Sequence, residues 1–92
     1  MKQIEIKLDV YGAWKDVAPA YRIYIDDEMI CERGFYAMEY EFCQEKILVE
    51  LPAGTSHLIK FEPLPTIRGN TLSYKNLRMN GIMIEPGFTV PN

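Results

Sequence analysis

Apolar and polar residues alternate along most of this chain. Ile4, Ile6, Leu8 and Val10 are separated by Glu5, Lys7 and Asp9, a period of two that lines one face of a strand. On a helix the same four residues would spread around more than one face, so the spacing predicts a half-buried strand. Tyr21 to Ile25, aromatic and β-branched, predicts the next strand. Asp26-Asp27-Glu28 supplies a turn, as a loop of about three or four residues, and Met29 to Glu32 returns as its partner. Met38, Tyr40 and Phe42 alternate with Glu39, Glu41 and Cys43, which predicts a further strand, and Ile47 to Leu51 predicts another after Gln44-Glu45-Lys46. Glu39, Glu41 and Glu45 are expected on a solvated face.

Punctuation comes from proline, glycine and asparagine. Pro52-Ala53-Gly54-Thr55-Ser56 is a turn, and His57 to Phe61 is the antiparallel strand that follows it. Tyr11 to Ala20 reads as a loop, Gly34-Phe35-Tyr36-Ala37 as a crossing or corner, and Glu62 to Tyr74 as the longest irregular stretch. Leu77 to Ile84 predicts two short strands joined by Asn80-Gly81, the pair that best tolerates a type I′ turn. In that hairpin Met79 faces Ile82 and Leu77 faces Ile84, with Arg78 and Met83 on the other face. The pattern predicts an all-β fold, an antiparallel, jelly-roll-like β-sandwich of about seven or eight strands. It forms a single domain over residues 1–86, and Pro86, Gly87 and Pro91 leave residues 87–92 as an extended C-terminal tail.

Composition narrows the function classes. Ninety-two residues make one core, and an apolar share of 48% is enough to offset chain entropy. The net charge is −3 and the ten basic residues are scattered, whereas a nucleic-acid binder concentrates them into a stripe. No apolar run reaches the ~20 residues that cross a bilayer, and Lys2 to Val10 is too polar for a signal-peptide core. The expectation is therefore cytoplasmic synthesis without nucleic-acid or membrane partners. Cys31 and Cys43 are expected to be reduced and packed.

Catalytic groups are sparse. The one histidine, His57, is expected as a surface imidazole, and neighbouring Ser56 points away from it in an extended chain. One histidine and two dispersed cysteines lack metal-ligand spacing, and Asp26-Asp27 is better explained as a turn than as a calcium site. The chain is not expected to be an enzyme. Two loops carry binding chemistry. In Tyr11 to Asp16, Trp14 is either a lid or a stacking platform, with Asp16 beside it. In Pro65 to Tyr74, Arg68, Asn70 and Tyr74 are polar or aromatic groups on a long connection, where binding residues usually sit.

Leu51-Pro52-Ala53-Gly54-Thr55 and Tyr74-Lys75-Asn76-Leu77-Arg78-Met79-Asn80-Gly81-Ile82 resemble the latter half of calcium-dependent, xylan-binding-type carbohydrate-binding modules. The overall pattern is also similar to small β-sandwich proteins of tailed marine cyanophages. These resemblances imply a jelly-roll sandwich that binds a glycan or another protein without catalysis, as a virion-associated or virus-encoded accessory protein. They do not extend to calcium, because Arg68 to Lys75, where the modules place carboxylates, holds no acidic residue. The alternative expectation is a protein–protein adaptor acting through a sheet edge or a patch drawn from Tyr21, Tyr24, Tyr36 and Tyr40.

Overall fold

In the computed structural model, which describes residues 1–37, 41–64 and 70–92, every regular element is a strand. They are β1 (Lys2–Ala13), β2 (Ala20–Ile25), β3 (Glu28–Gly34), β4 (Phe42–Leu51), β5 (Ser56–Pro63), β6 (Thr71–Met79), β7 (Ile82–Met83) and β8 (Gly87–Thr89). Two antiparallel four-stranded sheets form, ordered β4-β1-β6-β7 and β3-β2-β5-β8. The expected antiparallel β-sandwich is what the chain builds.

The predicted alternation of β1 supplies the centre of the first sheet. Ile4, Ile6, Leu8 and Val10 are each no more than 1% exposed. They pack with Tyr21, Ile23 and Ile25 of β2, Ile59 of β5, and Leu77 and Met79 of β6. Each such side chain contributes roughly 1.5–3 kcal/mol on burial. Gly34 to Ala37 crosses between the sheets as expected, and it drops Phe35 fully into the core.

Several boundaries differ from the sequence reading, each for a physical reason. The first loop starts later, because Tyr11, Gly12 and Ala13 continue β1 against Ser73, Leu72 and Thr71. The two strands expected around Gln44-Glu45-Lys46 are one: β4 runs unbroken from Phe42 and pairs with β1 throughout. Met38, Glu39 and Tyr40, placed at the start of the earlier strand, lie outside the described residues. Glu45 is not solvated. It shares the inward face of β4 with Ile47 and is only 4% exposed.

The turn between β2 and β3 is also tighter than expected. Ile25 pairs with Glu28, which leaves Asp26 and Asp27 as a two-residue loop with both φ values positive, 53° and 68°. That is the requirement of a type I′ turn, and aspartate tolerates it better than most residues. Asn80 and Gly81 meet the same requirement at 50° and 84°. The expected facing of Met79 with Ile82 and of Arg78 with Met83 is observed, although Ile82 remains 70% exposed because its strand is the short outer edge.

The C-terminal residues are not a free tail. Gly87 to Thr89 pairs with β5, and Val90 exchanges backbone hydrogen bonds with Gly54 and Thr55. Phe88 is 6% exposed and Val90 is fully buried. Alternation resumes after Pro86, and the proline ends one strand without preventing the next.

Two outcomes follow. Ending the chain at Pro86 should remove about 4 kcal/mol or more, counting two buried side chains. That is a large part of a domain's usual margin, so circular dichroism should show mostly unfolded protein; a native-like melt would contradict the docking of β8. Asp27→Gly, which leaves the Asp26 carboxylate in place, should raise stability by about 0.5 kcal/mol and Tm by a few degrees. A lower Tm would argue against the positive φ at that position.

Candidate binding site

The loop residues singled out above are mostly occupied with holding the fold. Trp14 is a lid: its indole Nε1–H donates to the Ala37 carbonyl at 3.0 Å, and its ring packs, partly buried, against the core. Asp16 is exposed at φ 60° in the adjoining turn. Asn70, just before β6, braces that turn from the neighbouring strand of the same sheet. Its Oδ1 accepts from the Lys15 N–H at 3.3 Å, and its Nδ2 donates to the Val17 carbonyl at 3.0 Å. Tyr74 turns inward, its ring centroid 5.2 Å from that of Phe61. Trp14, Asp16 and Asn70 are therefore brought to one end of the molecule, Tyr74 is not among them, and Arg68 lies outside the described residues. Of the four tyrosines named as a patch, Tyr21 is buried, Tyr24 donates to Glu62 Oε1 at 3.1 Å, and Tyr36 is 74% exposed. Tyr40 lies outside the described residues.

His57 is half-buried, not a surface imidazole. Its Nδ1 is hydrogen-bonded to the Asp26 carboxylate, and its Nε2 lies 2.6 Å from Thr55 Oγ1. Asp26 also accepts from the Leu58 N–H at 2.9 Å. The His57 hydrogen bond, then the Leu58 N–H, hold its carboxyl below the usual range. An acid–imidazole–hydroxyl chain can activate a nucleophile only if the hydroxyl proton faces the imidazole. Here Thr55 Oγ1 also donates to the Pro52 carbonyl at 2.6 Å, so its proton is committed to the turn. This chain ties the β2–β3 turn to the Pro52–Thr55 turn.

A second polar cluster closes the side of the sandwich where β3 and β4 are the outer strands. Glu45 accepts from the Tyr21 hydroxyl and from Arg33 Nε at 2.9 Å. Burial first, then the hydrogen bond to Glu45 and that group's charge, push the Tyr21 phenol far above its ordinary value. The Glu45 carboxylate in turn raises Arg33. Burial likewise pushes the nearby Cys31 thiol up. A pocket of about 390 Å³ lies here, lined by Tyr21, Arg33, Gly34 and Cys43 to Lys46. The carboxylate oxygens facing it are already paired.

The outer face of the β4-β1-β6-β7 sheet differs, because aromatic surface is left uncovered there. Phe42, Tyr11 and Ser73 lie side by side on β4, β1 and β6. The Phe42 and Tyr11 rings stack at 5.3 Å with an interplanar angle of 30°, and Phe42 is half exposed. Lys75 places Nζ 5.3 Å from the Tyr11 ring centroid, a cation–π contact. In the next row Gln44 and Lys75 flank Asp9.

Asp9 is the anchor of this face. Its carboxylate accepts from Asn76 Nδ2 at 2.9 Å and from Arg78 at 3.2 and 3.4 Å. Burial pushes its carboxyl up, but the hydrogen bonds from Asn76 and Arg78, the Arg78 charge and Gln44 outweigh that and hold it below the usual range. Asn76, at φ 59°, is where the β1–β6 register slips between Lys7 and Asp9, a bulge with its extra residue in the left-handed region. Asp9 thus fixes the bulge beside the aromatic row.

Sequence reasoning missed Phe42, Tyr11 and Asp9 as a group, and Glu45 as a buried acid on the opposite face. The alternation does put Tyr11 and Asp9 opposite the core face of β1. Only the long-range pairing of β1 with β4 brings Phe42 to Tyr11.

No protein-family model, curated protein or solved structure matches the chain. Among the described residues no group of three or more His, Cys, Asp and Glu is placed to hold a metal ion, and no helix is long and apolar enough to cross a membrane.

Acid should act through Asp9 and Asp26. A carboxyl held low in the folded state adds stability that is complete above its unfolded value, near pH ~4, and that is lost as pH falls through the folded value. Tm should therefore fall below about pH 4. Asp9→Asn should cost about 1–3 kcal/mol at neutral pH and flatten the acid fall. Melts that lose stability equally in both proteins would remove Asp9 from this account.

Proposed function

We propose that this chain is a non-catalytic binding module and that its ligand is a saccharide stacked on the Phe42–Tyr11 row. The observation that carries this reading is the half-exposed Phe42 ring, stacked at 30° on the partly buried Tyr11 ring, on the outer face of a sheet. A pyranose ring has one apolar C–H face, which packs on aromatic surface, and a rim of hydroxyls that needs hydrogen-bonding groups. Gln44, Ser73 and Lys75 supply amide, hydroxyl and ammonium groups on the neighbouring positions. Both rings are on paired strands, so little order has to be gained on binding. The resemblance of residues 51–55 and 74–82 to carbohydrate-binding modules supports the same class of ligand. A single-stranded nucleic acid would also stack on such rings, but the net charge of −3 and the scattered basic residues work against it.

A second reading, a protein contact through a sheet edge, is favoured by a separate observation: among the described residues no strand pairs with the outer side of β4.

Titrating isotope-labelled protein with a panel of neutral oligosaccharides should shift the amide signals of Tyr11, Phe42, Ser73 and Lys75. Phe42→Ala, at an exposed position, should leave the fold intact and weaken that binding about tenfold or more. If no saccharide moves those signals, or if Phe42→Ala binds as tightly as the parent, the ligand is not a stacked sugar.

A further inference from the structure

We infer that the outer edge of β4 pairs with β4 of a second copy of this chain, antiparallel about a two-fold axis through Leu48. The inference stands apart from the saccharide reading. Among the described residues β4 is an edge strand, ten residues long, and an unpaired edge of that length is a template for another strand unless charge or shape prevents it. Along its outward face it presents Lys46, Leu48 and Glu50, with Leu48 56% exposed. This triplet is self-complementary. In an antiparallel pair centred on Leu48, Lys46 of each copy faces Glu50 of the other, and the two Leu48 side chains meet between the ion pairs. Cross-strand partners of opposite charge stabilise a sheet, and like charges opposed destabilise it.

The same triplet selects the register. A two-fold axis normal to the sheet keeps outward residues opposite outward residues, so the alternatives move the centre along β4. Moving it by one residue sets Lys46 or Glu50 against Leu48 and forms no ion pair. Moving it by two sets Lys46 against Lys46, or Glu50 against Glu50. Lys46 Nζ lies 3.5 Å from Glu5 on its own sheet, and only the Leu48-centred pairing sets both Lys46 and Glu50 against opposite charges of the second copy; Pro52, which cannot donate to a ladder, bounds it.

The inward side is compatible with this pairing. Val49 and Leu51 line a groove of about 260 Å³ between β4 and the β2–β3 hairpin, with Ile25 and Ile30 opposite. Val49 then faces Ile47 of the second copy, which extends apolar surface along the groove. Glu45, the one inward charge on this edge, does not obstruct the second copy, because Tyr21 and Arg33 of its own chain hold it. A two-fold contact of this kind is closed, giving a dimer with one continuous eight-stranded sheet.

The test is sedimentation equilibrium of the full chain across micromolar to millimolar concentrations. The parent protein should form a dimer. Lys46→Glu alone and Glu50→Lys alone each set like charges against one another twice per dimer, and each should weaken self-association about tenfold or more. Mixing the two variants restores both ion pairs across the contact, so the mixture should dimerise about as well as the parent. Circular dichroism of each variant checks that it is folded before mixing. A parent that stays monomeric throughout, a dimer that neither charge reversal weakens, or single variants that do not recover on mixing would each overturn the inference.

Discussion

Strand β1 is the constraint on which the rest of the sandwich depends. It is hydrogen-bonded on both sides, to β4 along ten residue pairs and to β6 along seven, so its register sets those of both neighbours. Its inward row of Ile4, Ile6, Leu8 and Val10 is almost wholly buried. A slip of one residue would carry all four into water and draw Glu5, Lys7 and Asp9 into the core. At roughly 1.5–3 kcal/mol for each apolar side chain, that exchange exceeds what a domain of this size can lose. The outward residues are therefore placed as firmly as the inward ones. Tyr11 lies beside Phe42, and Asp9 beside Gln44, because the opposite face of β1 cannot move.

The charged groups that enter the structure are used at its margins. Glu45 sits where β3 and β4 leave the two sheets open at the side, and its contacts with Arg33 and Tyr21 join the edge of one sheet to the other. A carboxylate taken out of water without such partners would cost several kcal/mol. An inward charge on an edge strand also discourages indiscriminate strand addition. Asp9 and Asp26 serve similar ends elsewhere, the first at the β6 bulge and the second at a turn with both residues at positive φ. Asp9 holds the side chain of the bulged Asn76, and Asp26 accepts from the Leu58 N–H.

The sequence disclosed the parts of the fold that rest on local regularities. Period two marked β1, aromatic and β-branched residues marked β2, the Pro52–Ser56 turn marked β5, and Asn80-Gly81 marked the β6–β7 hairpin together with its facing residues. Where two local signals competed, the reading failed. Gln44-Glu45-Lys46 looked like a polar break, yet long-range pairing with β1 carries β4 straight through it. Pro86, Gly87 and Pro91 looked like the end of structure, yet Phe88 and Val90 retain the alternation and fill the core. The site was less legible still. Trp14 and Asn70 stand out for their residue types and loop positions, and both prove to fasten the loop end. Phe42 and Tyr11 are thirty-one residues apart, and no spacing rule joins them until β1 and β4 pair.

The two surfaces of β4 bear on one another. Phe42 faces outward near the start of the strand, whereas the self-complementary triplet occupies its second half, so a saccharide on the first and a second copy on the other do not compete for the same residues. A two-fold axis normal to the sheet also leaves both aromatic rows on the same side of the dimer. Two weak sites fixed side by side bind a repeating polymer far more tightly than either alone, because the second contact is made at high effective concentration. Stacking on a shallow face is inherently weak, since much of the ligand stays in water. For the saccharide reading proposed above, with its contact on the half-exposed Phe42 ring, pairing through the adjacent edge is thus the simplest route to useful affinity.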